Sequence, residues 1–338
     1  MSGYTAGVLR YRGERLPESP SIAVVADDAI GNFVVVTPLL KMLRRTHGPR
    51  RLSLVSGPRT AELQAASGLI TDCFLGKGPE ASLPVGPYDL VVNVEAADWS
   101  RRAAGVLGQV SGTRLCGPAI DPATGLDVPF ESDDRGRLWQ DPEWVSESLV
   151  GRYPFLSTGW IGEIFCRLAY LGGPVPRYEV PCAKPSVDVP DVLIAMSASL
   201  PDKLWPVDRW VEVLERVATT GRTIGLLGAA PAAQKTWLGS EAESEVVARG
   251  LVRDLRGSMT LPEVVGALSE AERVLTLDNG ILHLSASTDT PVVGLFRHGI
   301  HRLWAPPFGN VTALTPGEGG DVSDIPAERV WGALGFDV

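Results

Sequence analysis

Two short segments in the second half of the chain carry residue types suited to holding a phosphate. The first, Ser197-Ala-Ser199-Leu-Pro-Asp-Lys203-Leu-Trp205-Pro206, follows an apolar run at 192–196. Serine hydroxyls and turn amides supply donors there, and Lys203 supplies a compact positive charge, a combination that serves an anionic oxygen. The second, Asp278-Asn279-Gly280-Ile-Leu-His283, follows an apolar run at 274–277. Gly280 lets the backbone approach a ligand closely, and free amides at the positive end of a helix favour a diphosphate. His283 would lie one turn into that helix, near Asn279 and Gly280, able to donate to a phosphate or a sugar oxygen. Each segment also has a plain structural reading. The first is equally a polar turn with one solvated lysine, and the second a helix capped by Asp278 over a satisfied core histidine.

Ligands of open α/β sheets bind beyond the carboxyl ends of the strands, so the elements around these segments decide what they mean. Residues 192–196, 223–227, 274–277 and 292–296 read as strands. Helices fit between them at 207–219, 231–238, 261–269 and 280–287. Strands at 22–26, 52–55, 70–74 and 90–94 alternate in the first half with helical patterns at 32–45, 59–67 and 99–110. Pro38 is expected within the first two turns of its helix, where a missing donor costs least. The stretch 173–190 holds five prolines and little periodicity, marking a domain boundary. The expected fold class is α/β, with two Rossmann-like domains facing each other across a cleft: 1–180 for the acceptor and 181–319 for the nucleotide. Residues 320–338 are free to pack back on the first.

A chain of 338 residues, 44% hydrophobic and 21% charged, is long enough for two cores and lacks the profile of disorder. Its net charge of −9 argues against nucleic acid or an anionic membrane as partner. Cys73, Cys116, Cys166 and Cys182 have no metal-ligand spacing and read as reduced core thiols. The polar first twenty residues do not read as a signal peptide, and no later stretch is apolar enough to span a bilayer, so the expected location is cytoplasmic, without stable membrane insertion. Arg44, Arg45, His47, Arg50 and Arg51 cluster at the end of the first helix, a pattern that normally solvates. Arg297, His298, His301 and Arg302 follow the strand at 292–296 and are expected to line the nucleotide site or to solvate a loop. The first strand is followed by Ala26-Asp27-Asp28-Ala29-Ile30-Gly31-Asn32, with one glycine instead of three, which excludes a dinucleotide fingerprint. Neither a P-loop nor a G-x-S-x-G is present.

Four segments in order carry a resemblance. They are Asp28-Ala-Ile-Gly31-Asn32-Phe-Val-Val-Val-Thr37-Pro38, Ser197 to Pro206, Leu255-Arg256-Gly257-Ser258, and Asp278-Asn279-Gly280 with His283. Together, over about 22–307, they resemble glycosyltransferase family 9, the ADP-heptose:lipopolysaccharide heptosyltransferases. The resemblance implies a GT-B fold and inverting, metal-independent transfer of a heptose from ADP-heptose, with no cofactor beyond the nucleotide sugar. It assigns Ser197 or Ser199 and Lys203 to the diphosphate and Asp278 to the donor sugar, with Asn279, Gly280 and His283 completing the phosphate site. A lysine and a helix start would stabilise the leaving diphosphate where its charge develops.

Three departures bear on the chemistry. The family's catalytic aspartate is here Asn32, whose amide takes no proton. Where a glutamate usually meets the ribose, the chain offers Gln234, and the usual threonine beside the donor-site aspartate is Asn279. The pair Asp27-Asp28, Asp28 being preferred, and Glu95, both features at strand ends, are the candidate replacement bases, although Asp28 equally suits a carboxylate holding the Gly31 loop through backbone amides. A nitrogen nucleophile would need little base help. With an arginine-biased composition suggesting a GC-rich genome, this turns the expected acceptor towards a small molecule of a specialised biosynthetic pathway. The alternatives are a lipid-linked glycan acceptor of lipopolysaccharide type, a non-hydrolysing epimerase, and an inactive sugar-nucleotide-binding protein.

Overall fold

Aliphatic and β-branched runs, each followed by turn residues, form the strands of both halves of this computed structural model. It describes residues 8–78, 80–84, 86–233 and 238–336. The chain divides into two units, Met1–Glu179 and Val180–Val338.

The first unit contains β1 (Leu9–Arg10), β2 (Ser21–Val25), β3 (Arg51–Ser56), β4 (Asp72–Leu75), β5 (Leu90–Asn93) and β6 (Arg114–Cys116). All pairings are parallel, in the order β1-β6-β5-β2-β3-β4. Parallel strands covered on both faces read as continuous apolar runs, as β2 and β5 do. Helices α1 (Ile30–His47), α2 (Ala61–Ala66) and α3 (Asp98–Gly108) make the crossovers. The segment after β6 adds the short helices α4 (Asp134–Trp139), α5 (Leu149–Arg152) and α6 (Ile161–Leu168), which sequence patterning does not foresee. Because α1 begins at Ile30, Pro38 lies in its interior and not near its start. The donor Pro38 lacks would have met the Val34 carbonyl, and the Thr37 hydroxyl donates to that carbonyl instead at 2.8 Å.

The second unit contains β7 (Val192–Ala195), β8 (Ile224–Leu226), β9 (Arg253–Asp254), β10 (Arg273–Leu277), β11 (Val292–Leu295) and β12 (Val311–Leu314). These too pair in parallel, in the order β12-β11-β10-β7-β8-β9. That is the doubly wound dinucleotide-fold order, whose direction of winding reverses between its first and fourth strands, here β7 and β10. Helix α7 (Val207–Thr219) matches the expected bounds, burying Trp210, Val213 and Leu214 against the sheet. Trp205 anchors its start, donating its indole N–H to the Ile325 carbonyl at 2.8 Å and meeting Trp210 edge-to-face. Of the helix expected at 231–238, residues Pro231–Ala233 form a 3₁₀ turn, positions 234–237 lie outside the described residues, and α8 follows at Ser240–Ala248. Helices α9 (Leu261–Glu270), α10 (Gly280–Ala286) and α11 (His301–Trp304) complete the crossovers.

Two expectations are corrected. The C-terminal stretch is part of the second unit: Val322, Ile325, Val330, Trp331 and Leu334, the last three on α12 (Ala327–Leu334), are buried in its core. Their apolar spacing fits the surface of α7 and β12. Of the four free cysteines only Cys116 and Cys166 are buried. Cys73 is exposed on the edge strand β4, and Cys182 is exposed just past the division between units. The basic cluster after α1 is largely tied down, with Arg44 bonded to the Leu69 carbonyl and Arg51 paired to Asp72.

Candidate active site

In each unit the residues singled out from sequence fall where the winding reverses. In the second, Ser197 follows β7 and Asp278 to Gly280 follow β10, so both segments meet at the carboxyl edge of adjacent strands. Asn279 fixes their relation. Its Oδ1 accepts from the Ile281 and Leu282 amides at 2.9 and 3.3 Å, and its Nδ2 donates to the Ser197 carbonyl at 3.0 Å. Asn279, and not Asp278, therefore caps α10, and two of the amides expected to be free for a phosphate already have a partner.

Lys203 ends the 3₁₀ turn Pro201–Lys203 and reaches across to Asp278, with Nζ 2.7 Å from Oδ2 and 3.3 Å from the Asp278 carbonyl oxygen. Asp278 is buried and Lys203 mostly so, which makes this more than a surface pair. Ser197 is half-buried and Ser199 exposed. Gly239 packs beneath the turn with φ of +105°, where an added Cβ would come within 3.0 Å of the Met196 carbonyl oxygen, so glycine is required there. His283 is 2% exposed, in edge-to-face contact with Trp304. Burial, assisted by Lys203 and opposed by Asp278, pushes its pKa down to about 4, so at neutral pH the imidazole is uncharged. Gln234 lies outside the described residues. Arg297, after β11, pairs with Asp202, the neighbour of Lys203.

In the first unit the reversal lies between β2 and β5. Asp28, on the loop after β2, is 1% exposed and pairs with Lys77 and with Arg59, whose backbone amide also donates to it at 3.2 Å. Asp27 accepts from the Ala29 amide at 3.0 Å, from Asn32 Nδ2 at 3.2 Å and from Lys77 Nζ at 2.7 Å. Burial alone would raise the Asp27 pKa, but the Lys77 ammonium and the Ala29 amide outweigh it and hold the carboxyl below its ordinary range. The start of α1, with Gly31 and Asn32, is thus held by Asp27, and Asp28 ties the loop after β2 to the segment after β3. Glu95 turns back on its own chain, Oε1 accepting from the Ala96 and Ala97 amides at 2.8 and 2.9 Å at the start of α3. Both candidate bases thus have partners, Asp28 on Lys77 and Arg59 and one oxygen of Glu95 on its own backbone amides. Lys77 and Arg59 are functional neighbours the sequence does not advertise. The single hint for Lys77 is its place between Gly76 and Gly78, just past a strand.

Among the described residues no group of three or more His, Cys, Asp or Glu is placed to hold a metal ion, and no helix is long and apolar enough to cross a membrane.

Residues 174–319 match the family model described as glycosyltransferase family 9 (heptosyltransferase). The chain is 31% identical over 112 residues to lipopolysaccharide heptosyltransferase 1 of Salmonella typhimurium, an alignment that spans 33% of each protein. A family 9 glycosyltransferase structure from Veillonella parvula superposes with a TM-score of 0.71 at 14% identity, covering 95% of this chain and 98% of that one. The E. coli ADP-heptose LPS heptosyltransferase II structure gives 0.65 at 16% identity, covering 93% and 97%. Residues 174–319 thus match the glycosyltransferase family 9 (heptosyltransferase) model, and the chain as a whole has the α/β architecture of the GT-B fold seen in these heptosyltransferase structures.

Proposed function

We propose that the chain is an inverting, metal-independent glycosyltransferase that moves a heptose from ADP-heptose to an acceptor. One observation carries the reading: Ser197, Lys203 and the segment 278–283 converge at the carboxyl edge of β7 and β10, the position at which doubly wound sheets bind nucleotides. The name of the E. coli structural relative, an ADP-heptose heptosyltransferase, supports the choice of donor.

In this reading Lys203 passes from Asp278 to the donor diphosphate, and Ser197 adds a hydroxyl. Asp278, released from its ion pair, accepts hydroxyl donors of the sugar. As the bond from the anomeric carbon to the diphosphate breaks, the Lys203 ammonium meets the charge that develops on the leaving oxygen. The acceptor nucleophile bonds to that carbon from the opposite face and loses its proton. Asp28 is buried between two cations, and Asp27 is held below its ordinary pKa, which makes Asp27 a poor proton acceptor. A nitrogen nucleophile, which sheds its proton after attack, fits this setting, and a small molecule is the proposed acceptor. A second reading, a lipid-linked glycan acceptor, is favoured by the name of the Salmonella relative.

The test is a binding and turnover series. ADP, GDP and UDP are compared by thermal shift in EDTA, where a ligand at a hundred times its Kd adds about 2.7 kcal/mol of stability. ADP is expected to stabilise the protein most, and ADP-heptose to be consumed with small amine acceptors. Failure of every nucleotide to bind would refute the proposal. ADP-heptose consumption confined to lipid-linked glycans would select the second reading. Tight donor binding without turnover on any acceptor would leave a sugar-nucleotide-binding protein.

A further inference from the structure

The Lys203–Asp278 pair does not stand alone. Asp202, its neighbour in the same 3₁₀ turn, forms an ion pair with Arg297, which follows β11. The register Leu277↔Leu295 and the bond from the Asp278 amide to the Leu295 carbonyl place Asp278 and Arg297 on adjacent strand ends. Two consecutive residues of opposite charge therefore reach over the same edge to two partners of opposite charge. The four groups, Asp202, Lys203, Asp278 and Arg297, sum to zero.

A charge-neutral quartet gives a multiply charged diphosphate no net attraction unless a carboxylate withdraws. The α10 amides offer little instead, because Asn279 occupies those of Ile281 and Leu282. Arg297 also carries a donor in reserve. Its Nε is shielded from solvent and has no hydrogen-bond partner among the described residues, and the same holds for Oδ1 of Asp202. Buried polar atoms left unpaired call for an explanation, and a ligand oxygen meeting the guanidinium is one. Asp202 is the more exposed side of this pair, 36% against 26%, and so is the partner freer to swing into solvent.

We infer that Arg297 is a second diphosphate-binding residue, held in place by Asp202 until the donor displaces that carboxylate. The inference rests on the nucleotide reading of the site and names a positioning cation that this reading lacks. A guanidinium presents two parallel donors to phosphate oxygens, so together with Lys203 it would grip both phosphates.

Calorimetric titration of the full-length protein with ADP and with adenosine tests it, using the wild type, Arg297→Gln, Arg297→Lys and Asp202→Asn. Arg297→Gln is expected to weaken ADP by about ten- to a hundredfold, the worth of one charge-assisted contact, and to leave adenosine unchanged. Arg297→Lys should recover part of the loss. Asp202→Asn removes the competing carboxylate and should tighten ADP, whereas a purely structural salt bridge would lower the melting temperature in both variants and leave ADP affinity alone. Equal ADP affinity in the wild type and Asp202→Asn, or equal losses for ADP and adenosine in Arg297→Gln, would overturn the inference. If Arg297→Gln fails to fold, Arg297→Lys and Asp202→Asn decide. A wild-type protein that binds no ADP would overturn the nucleotide reading itself, a result distinct from ADP binding that ignores Arg297.

Discussion

His283 should make the protein acid-sensitive in a window that carboxylates only partly share. Its imidazole has an ordinary pKa of 6.5 and is pushed down to about 4 by burial in the folded chain. The unfolded chain therefore binds a proton that the native state refuses, and stability must rise with pH across that interval. The contribution is whole above about pH 6.5 and is lost as the pH falls towards 4. With these two values the loss is about 0.2 kcal/mol at pH 7 and about 2 kcal/mol at pH 5, approaching about 3 kcal/mol at lower pH. Urea denaturation of the wild type and His283→Gln at half-unit steps from pH 7 to pH 5 measures it. Lost packing against Trp304 shifts the variant's curve by a constant. Carboxylates such as Asp27, whose pKa is also lowered, affect both proteins alike. The difference between the curves should thus shrink by about 1.8 kcal/mol on going from pH 7 to pH 5. Parallel curves would show that the imidazole titrates normally and is not enclosed as described.

Lys203→Gln should weaken ADP by about ten- to a hundredfold while lowering the melting temperature, because buried Asp278 loses its counter-charge; an unchanged calorimetric Kd would contradict the phosphate role. Asn32→Asp should leave turnover on an amine acceptor within a few-fold of wild type, and a gain of about a hundredfold, the worth of a general base, would refute the nitrogen nucleophile. Thr37→Val strips the Val34 carbonyl of its donor and the Glu179 amide of its acceptor, and should cost about 1–3 kcal/mol in urea denaturation. A loss below about 0.5 kcal/mol would mean that Thr37 does not compensate for Pro38.

What was legible in the sequence follows the strength of local patterning. Helix α7 was readable to its ends because thirteen residues carry one apolar face, with Trp210, Val213, Leu214 and Val217 at helical spacing. Strands β9 and β12 were not, since β9 has both residues exposed and β12 only one buried, and edge strands covered on few sides need no apolar run. Pro231 and the alanines after it imitate a helix start; Pro231–Ala233 are a 3₁₀ turn, and α8 begins only after Gly239 in its left-handed conformation. Ser197, Lys203, Asp278 and Asn279 could be picked out because each follows a recognisable strand. Their pairings could not: Lys77 meets Asp27 across 50 positions and Arg297 meets Asp202 across 95, distances over which local sequence carries no signal. The same gap hides the surroundings of Asp28, because the groups that engage it are contributed by loops after β3 and β4.

Each unit therefore places two carboxylates and two cations where its sheet reverses, but the two quartets differ in what can move. In the first, Asp27 and Asp28 are consecutive and share Lys77, and Gly57 lies so close that an added Cβ there would sit 2.4 Å from Asp28 Oδ2. Asp28 has no room to leave its cations, so that cluster acts as a fixed brace for the first turn of α1, which bears Asn32. In the second, the acids belong to different loops, Asp278 bound to Lys203 beside Asp202 and Asp202 bound to Arg297 on the loop after β11, and Asp202 sits at the exposed end. Only this arrangement lets an incoming anion replace a carboxylate one pair at a time. Under the proposed function an anionic ligand thus goes with the second quartet, whereas in the first Lys77 and Arg59 are held by acids that do not withdraw. A neutral or weakly basic acceptor fits a brace of this kind, and that is the electrostatic ground for expecting selectivity against phosphorylated acceptors.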